Sequence, residues 1–141
     1  METEIVNGQD KLTDETRANL KELSKAMLRL HKTLLDAAKA DYEAKNGVIT
    51  NVNQYFQLVI DDPHFAWLRK ISSLIALIDE AVSVRRPATE SEAKGLQNEA
   101  QLLLNFQDSD ESFNEKFQNA LETNKDAVLN YNDALQFVNG K

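Results

Sequence analysis

The segment Asp61-Asp62-Pro63-His64-Phe65-Ala66-Trp67-Leu68-Arg69, with the apolar run behind it, constrains this chain more than any other feature. Asp62 offers a side-chain acceptor to the orphan N–H groups of a first helical turn. Pro63 suits that turn, where its missing N–H costs nothing. Thirteen of the twenty residues 65–84 are apolar, including the only Trp. A helix this apolar is normally the buried one, and the pattern predicts it from Pro63 to about Arg86, stopped before Pro87. One narrow polar stripe remains, formed by Ser72, Ser73, Ala76, Asp79, Glu80 and Ser83. Trp67 is expected to be largely buried against the first helix.

That first helix is predicted from Thr13 or Asp14 to about Asn46, with Gly47 as a left-handed residue beyond its end. Leu20, Leu23, Met27, Leu30, Leu34 and Ala37 form one apolar stripe, and Leu28, His31, Leu35, Ala38 and Tyr42 a second. Two stripes make a wide buried face, as in a bundle. A short helix over about 53–61 should turn Tyr55, Phe56 and Val59 to the core. Thr89-Glu90-Ser91-Glu92 has the form of a capping box and opens a helix to about Gln107. Asp108-Ser109-Asp110-Glu111 reads as a second box. The last helix carries Phe113, Phe117, Leu121, Val128, Tyr131, Leu135 and Val138 and ends at Gly140. Thr123-Asn124-Lys125 interrupts its stripe, with Asn124 placed to cap a restart.

No stretch alternates as a strand does. Four long helices with short connections imply antiparallel neighbours. The expected fold is all-α, an antiparallel four-helix bundle with one short additional helix. Residues 1–11 form a disordered N-terminal arm, and 12–141 a single domain.

The segment Leu30-His31-Lys32-Thr33-Leu34-Leu35-Asp36, Asp41-Tyr42-Glu43, Gln57-Leu58-Val59, Asp62-Pro63 and Phe65-Ala66-Trp67-Leu68-Arg69, ending in Ile78-Asp79-Glu80, resembles a family of small uncharacterised bacterial all-helical proteins. The Phe-Ala-Trp-Leu-Arg run is its most specific part, and residues 117–135 are similar to the family's tail. The resemblance implies a bacterial, cytosolic, helical domain. It implies no activity, cofactor or catalytic residue.

Chemistry is narrowed mainly by what is missing. There is no Cys, which removes disulfides, thiolate metal sites and cysteine nucleophiles and fits the cytoplasm. The net charge of −7 is concentrated in residues 89–141, with 4 basic and 10 acidic groups. Such a surface repels phosphate backbones, so no nucleic-acid partner is expected. No apolar run reaches membrane-spanning length, and residues 1–11 lack the pattern of a signal peptide.

His31 suggests phosphotransfer, but its neighbours Lys32, Thr33 and Leu34 are not the small residues a receiver needs. A half-buried His with one hydrogen-bond partner is the plainer reading. Neither His follows a Glu by three residues on one helix, so no bundle metal site is expected. Met27 and His31 share one helix side and cannot bracket a haem iron. Ser72 and Ser73 lack a nucleophile elbow, and the four glycines are isolated, so no phosphate loop exists.

No catalytic residue, metal or cofactor is therefore expected. The expected function is a non-enzymatic interaction module with a protein partner or a second copy, helix 63–86 supplying the apolar face of a homodimer. The alternative is a small-ligand-binding or sensory bundle using an aromatic end. Its candidate contacts are Tyr42, Tyr55, His64, Trp67 and Arg69, Arg69 meeting Asp61, Asp62 or Asp79.

Overall fold

A computed structural model describes residues 10–139, and all its regular elements are helices. They are α1 (Asp14–Asn46), α2 (Val52–Asp61), α3 (Pro63–Ala66), α4 (Arg69–Ala81), α5 (Glu90–Leu104), α6 (Glu111–Glu122) and α7 (Lys125–Leu135). No strand forms among the described residues, and a single antiparallel bridge joins Lys11 to Thr89. Residues 1–9 of the expected arm and the expected end at Gly140 lie outside the described residues.

Helix α1 starts where its cap requires. Thr13 Oγ1 accepts from Thr16 N at 3.1 Å, and Asp14 and Glu15 complement the positive end of the helix dipole. Its far end reaches Gly47, whose φ of 93° and ψ of 161° lie outside the left-handed helical basin, in a region open essentially to Gly alone. Leu20, Leu23, Met27, Leu30 and Leu34 are buried as expected. The second stripe is not a buried face: Leu28 is exposed, and His31, Leu35, Ala38 and Tyr42 are half-buried.

Cross-links fix the order of packing. Ser24 Oγ donates to Asp79 Oδ1 at 2.5 Å, the Arg17 guanidinium donates to the Val82 carbonyl, and His64 Nε2 donates to Ala38 O at 2.8 Å. As residue numbers rise along α1 they fall along α3–α4. Asn19 to the Phe137 carbonyl and Thr33 to Asn130 show the same opposition between α1 and α7. The starts of α1 and α5 cap each other. Glu90 accepts from Thr13 N and Thr16 Oγ1, and Asp10 Oδ1 accepts from Ser91 N and Oγ.

The predicted helix 63–86 is two helices, and it ends early. Trp67 Nε1 donates to His64 O at 3.2 Å, the carbonyl that Leu68 N would take in a continuous helix. Leu68 N turns instead to Phe65 O at 3.0 Å, and the chain tightens through residues 65–71 into i→i+3 bonds. At the far end Ala88 N takes the Ala81 carbonyl at 2.9 Å, folding the chain back five residues before Arg86.

The last helix also divides, at the expected place: Asn124 Oδ1 accepts from Ala127 N at 3.0 Å and starts α7. Val128 is exposed there and Ala127 is buried in its place. The capping box at Thr89 forms as read. The second box does not. Asp110, not Asp108, caps α6, because Asp108 turns its backbone to the buried Asn114 side chain.

Helix α5 stops at Leu104 rather than Gln107. Gln107 N bonds Leu102 O at 2.8 Å and Phe106 N bonds Leu103 O at 3.3 Å, the paired bonds of a Schellman end. The left-handed position is held by Phe106 at φ 60°, unusual for a bulky side chain. Its ring stacks on Tyr131 at 5.6 Å and meets Phe117 edge-on at 5.3 Å, which offsets the backbone strain.

Candidate functional site

The aromatic residues proposed from sequence do not form one pocket. Tyr42, Tyr55 and His64 surround Phe65, with ring centroids 5.6, 5.9 and 5.0 Å from it. Phe65 is 1% exposed, so this end is a packed plug rather than an open cavity. Burial pushes the Tyr55 phenol above its usual pKa, and the Lys39 ammonium lies 5.5 Å from its ring centre. Glu43 accepts from Ile49 N at 2.8 Å, a bond that holds its carboxyl below the usual range and pins the connector after α1.

Trp67 and Arg69 face elsewhere. Trp67 is half-buried and packs on Phe113 of α6 at 5.9 Å, so the expected burial falls to its neighbours Phe65, which meets Tyr42 of α1, and Leu68. The indole stands between two clefts. The larger, about 670 Å³, lies among α3, α4, α5 and α6, with Leu74, Leu77, Leu103 and Phe113 in its walls. The smaller, about 450 Å³, is bounded by Leu34, Ala38, His64 and Ala120. Lys70 and Asp108 pair at 3.2 Å on the rim of the larger cleft. Arg69 donates to the Ile60 carbonyl and, among the described residues, to no carboxylate. Asp62 is occupied in capping α3, accepting from His64 N at 2.9 Å, and Asp79 in bonding Ser24. The guanidinium therefore ties the end of α2 to the start of α4.

His31 is half-buried, and burial lowers its pKa below 6.5. The hydrogen-bond partner expected for its ring is not present among the described residues. No helix of the described residues is long and apolar enough to cross a membrane.

The feature missed in sequence is the outward face of α2. The sequence pattern turns Phe56 to the core, yet Phe56 is 66% exposed and α2 buries no residue at all. Val52, Phe56 and Ile60 stand at i, i+4 and i+8, on one helix face, and all three are exposed, with Val48 before them. Residues 46–60 contain no Lys, Arg, His, Asp or Glu, in a chain 28% charged. That uncharged run is the signal that could have marked this surface. The apolar face expected on helix 63–86 is much reduced: Ile71, Leu74, Ile75 and Ile78 are buried within the chain, and Leu77 and Val84 remain exposed.

Comparison of the chain with protein-family models, curated protein sequences and solved structures finds no match.

Proposed function

We propose that the chain is a cytoplasmic, non-enzymatic interaction module, built as an antiparallel four-helix bundle with α2 as the additional helix, and that its partner is a second copy. The observation that carries this reading is the exposed, uncharged apolar face Val52–Phe56–Ile60. Two copies each carrying −7 repel at most approaches, so a charge-free patch is where contact costs least. A two-fold axis puts the same face on both sides, and an apolar stripe is complementary to itself. A helix of ten residues is only about 15 Å long, so the contact is small and the dimer weak.

Because the chain has no Cys, a single introduced thiol reads this contact cleanly. Val52→Cys should give a covalent dimer with a short bismaleimide, and Leu129→Cys, another exposed apolar position, on α7, should not. Equal yields from the two positions would remove α2 as the interface.

A second reading uses the larger cleft beside Trp67, whose volume suits a small ligand. It predicts a co-purifying molecule by native mass spectrometry, lost in Trp67→Ala.

A further inference from the structure

A groove of about 630 Å³ separates the beginning of α1 and the body of α5 from the end of α7, on a different part of the surface from the α2 face. Six of its thirteen lining residues are Asn19, Gln97, Asn98, Gln101, Gln136 and Asn139. Carboxamides make up 21 of 141 residues in the whole chain, so the groove concentrates them well beyond their share. Phe137 and Val138 supply apolar surface between them.

We propose that this groove binds an extended peptide segment of neutral side chains by its backbone. The inner amides are already oriented. Gln97 Nε2 donates to Asn19 Oδ1 at 2.7 Å, and Asn19 Nδ2 donates to the Phe137 carbonyl at 3.3 Å. That leaves the Gln97 carbonyl oxygen without a hydrogen bond among the described residues. The side chains of Gln101 on one wall and Gln136 on the other make no hydrogen bond among the described residues. Each free carboxamide offers one acceptor and one donor group, the complement of the N–H and C=O of a peptide unit.

Spacing favours this ligand. Gln97 and Gln101 share one face of α5, and both line the groove. A step of four helical residues rises about 6.0 Å. Two residues of extended chain advance about 6.6 Å. Over that one step the mismatch is about 0.6 Å, which the long Gln side chains absorb. Charge points the same way. Of the three charged lining residues, Glu90 accepts from Thr13 and Thr16, bonds that hold it below its usual pKa, and pairs with Lys94 at 3.9 Å, while Glu15 stands exposed. The remaining carboxamides are neutral and would be poor partners for an ionised ligand.

The test titrates the full-length chain with a blocked peptide of about nine residues, alternating Thr and Ala, and follows side-chain amide signals by NMR. The signals of Gln97, Gln101, Gln136 and Asn139 should shift together, with Kd on the order of 1 mM. Gln101→Ala and Gln136→Ala, both at exposed positions, should each weaken binding about 2- to 10-fold while the backbone spectrum keeps its dispersion. The same peptide methylated on alternate backbone nitrogens should not bind. Three results would overturn the proposal: no shift at saturating peptide, equal binding of the methylated peptide, or shifts that persist unchanged in the double variant. Movement of the same amides by maltotriose and not by the peptide would also overturn it, assigning the groove to saccharides.

Discussion

Helices α2 and α4 have similar apolar content and opposite fates. Six of the ten residues of α2 are apolar, against seven of the thirteen in α4. Yet α4 buries Ile71, Leu74, Ile75, Ile78 and Ala81, and α2 buries none. The difference lies in neighbours. Helix α4 packs against both α1 and α5, whereas α2 packs mainly on the short α3, with the side chains of Arg69 and Lys39 reaching it from α4 and α1. Apolar content measures what a helix has to gain from burial, while the number of elements that pack on it decides how much of that gain is realised within one chain.

Truncating one side chain from each helix separates the two most directly. Ile78→Ala should cost about 2–5 kcal/mol by chemical denaturation, because a fully buried methyl cluster is replaced by a cavity. Phe56→Ala, measured in dilute solution, should change stability by less than about 0.5 kcal/mol. Similar losses at the two positions would mean that α2 is as much a part of the core as α4.

A smaller effect is expected at Phe106, where the ring is held by a strained backbone. Phe106→Gly removes the left-handed penalty of about 1–2 kcal/mol and loses two aromatic contacts of about 0.5–1.5 kcal/mol each, plus the burial of the ring. The balance is a loss of about 1 kcal/mol. A thermal midpoint above that of the parent would show that the ring contributes too little to offset the strain.

A gain in stability is expected on the solvent side, at Gly95. It lies inside α5 with no atom near the position of an added Cβ and no positive φ. Gly95→Ala should therefore raise stability by about 0.5–1 kcal/mol, with no change in self-association.

The least of these effects concerns His31, on the margin between core and surface of α1. Its pKa is lowered in the folded chain by burial, so the unfolded chain binds the proton more readily. The contribution is fully present above 6.5 and is lost as pH falls below that value toward the lowered one. His31→Gln should flatten the stability profile just below pH 6.5. A steeper profile in the variant would reverse the sign of the assignment.

Capping chemistry was the most legible part of the fold. Thr13, Thr89, Asn124 and the Asp62-Pro63 pair each start a helix where the sequence placed one, because a cap is a local bond between a side chain and a nearby N–H. Endings inside an unbroken apolar pattern were not legible. The division at Trp67 depends on an indole N–H competing for a backbone carbonyl, and the end at Ala81 on a return bond from Ala88. Neither leaves a Gly or Pro at the point of change.

The candidate site was half legible for the same reason. Tyr42, Tyr55 and His64 do gather, but around Phe65, which fills the space a ligand would need. Which face of α2 meets that plug follows from tertiary packing, and the i, i+4, i+8 spacing of Val52, Phe56 and Ile60 reads equally well as an inward or an outward stripe.

Static light scattering across about 10–500 µM, with the parent chain beside Phe56→Glu, measures the central claim directly. The parent's average mass should climb from 15.9 kDa toward twice that value, while the variant, which sets two carboxylates against each other at the two-fold contact, stays at 15.9 kDa. A parent that holds 15.9 kDa throughout, or a variant that associates as strongly as the parent, would contradict it.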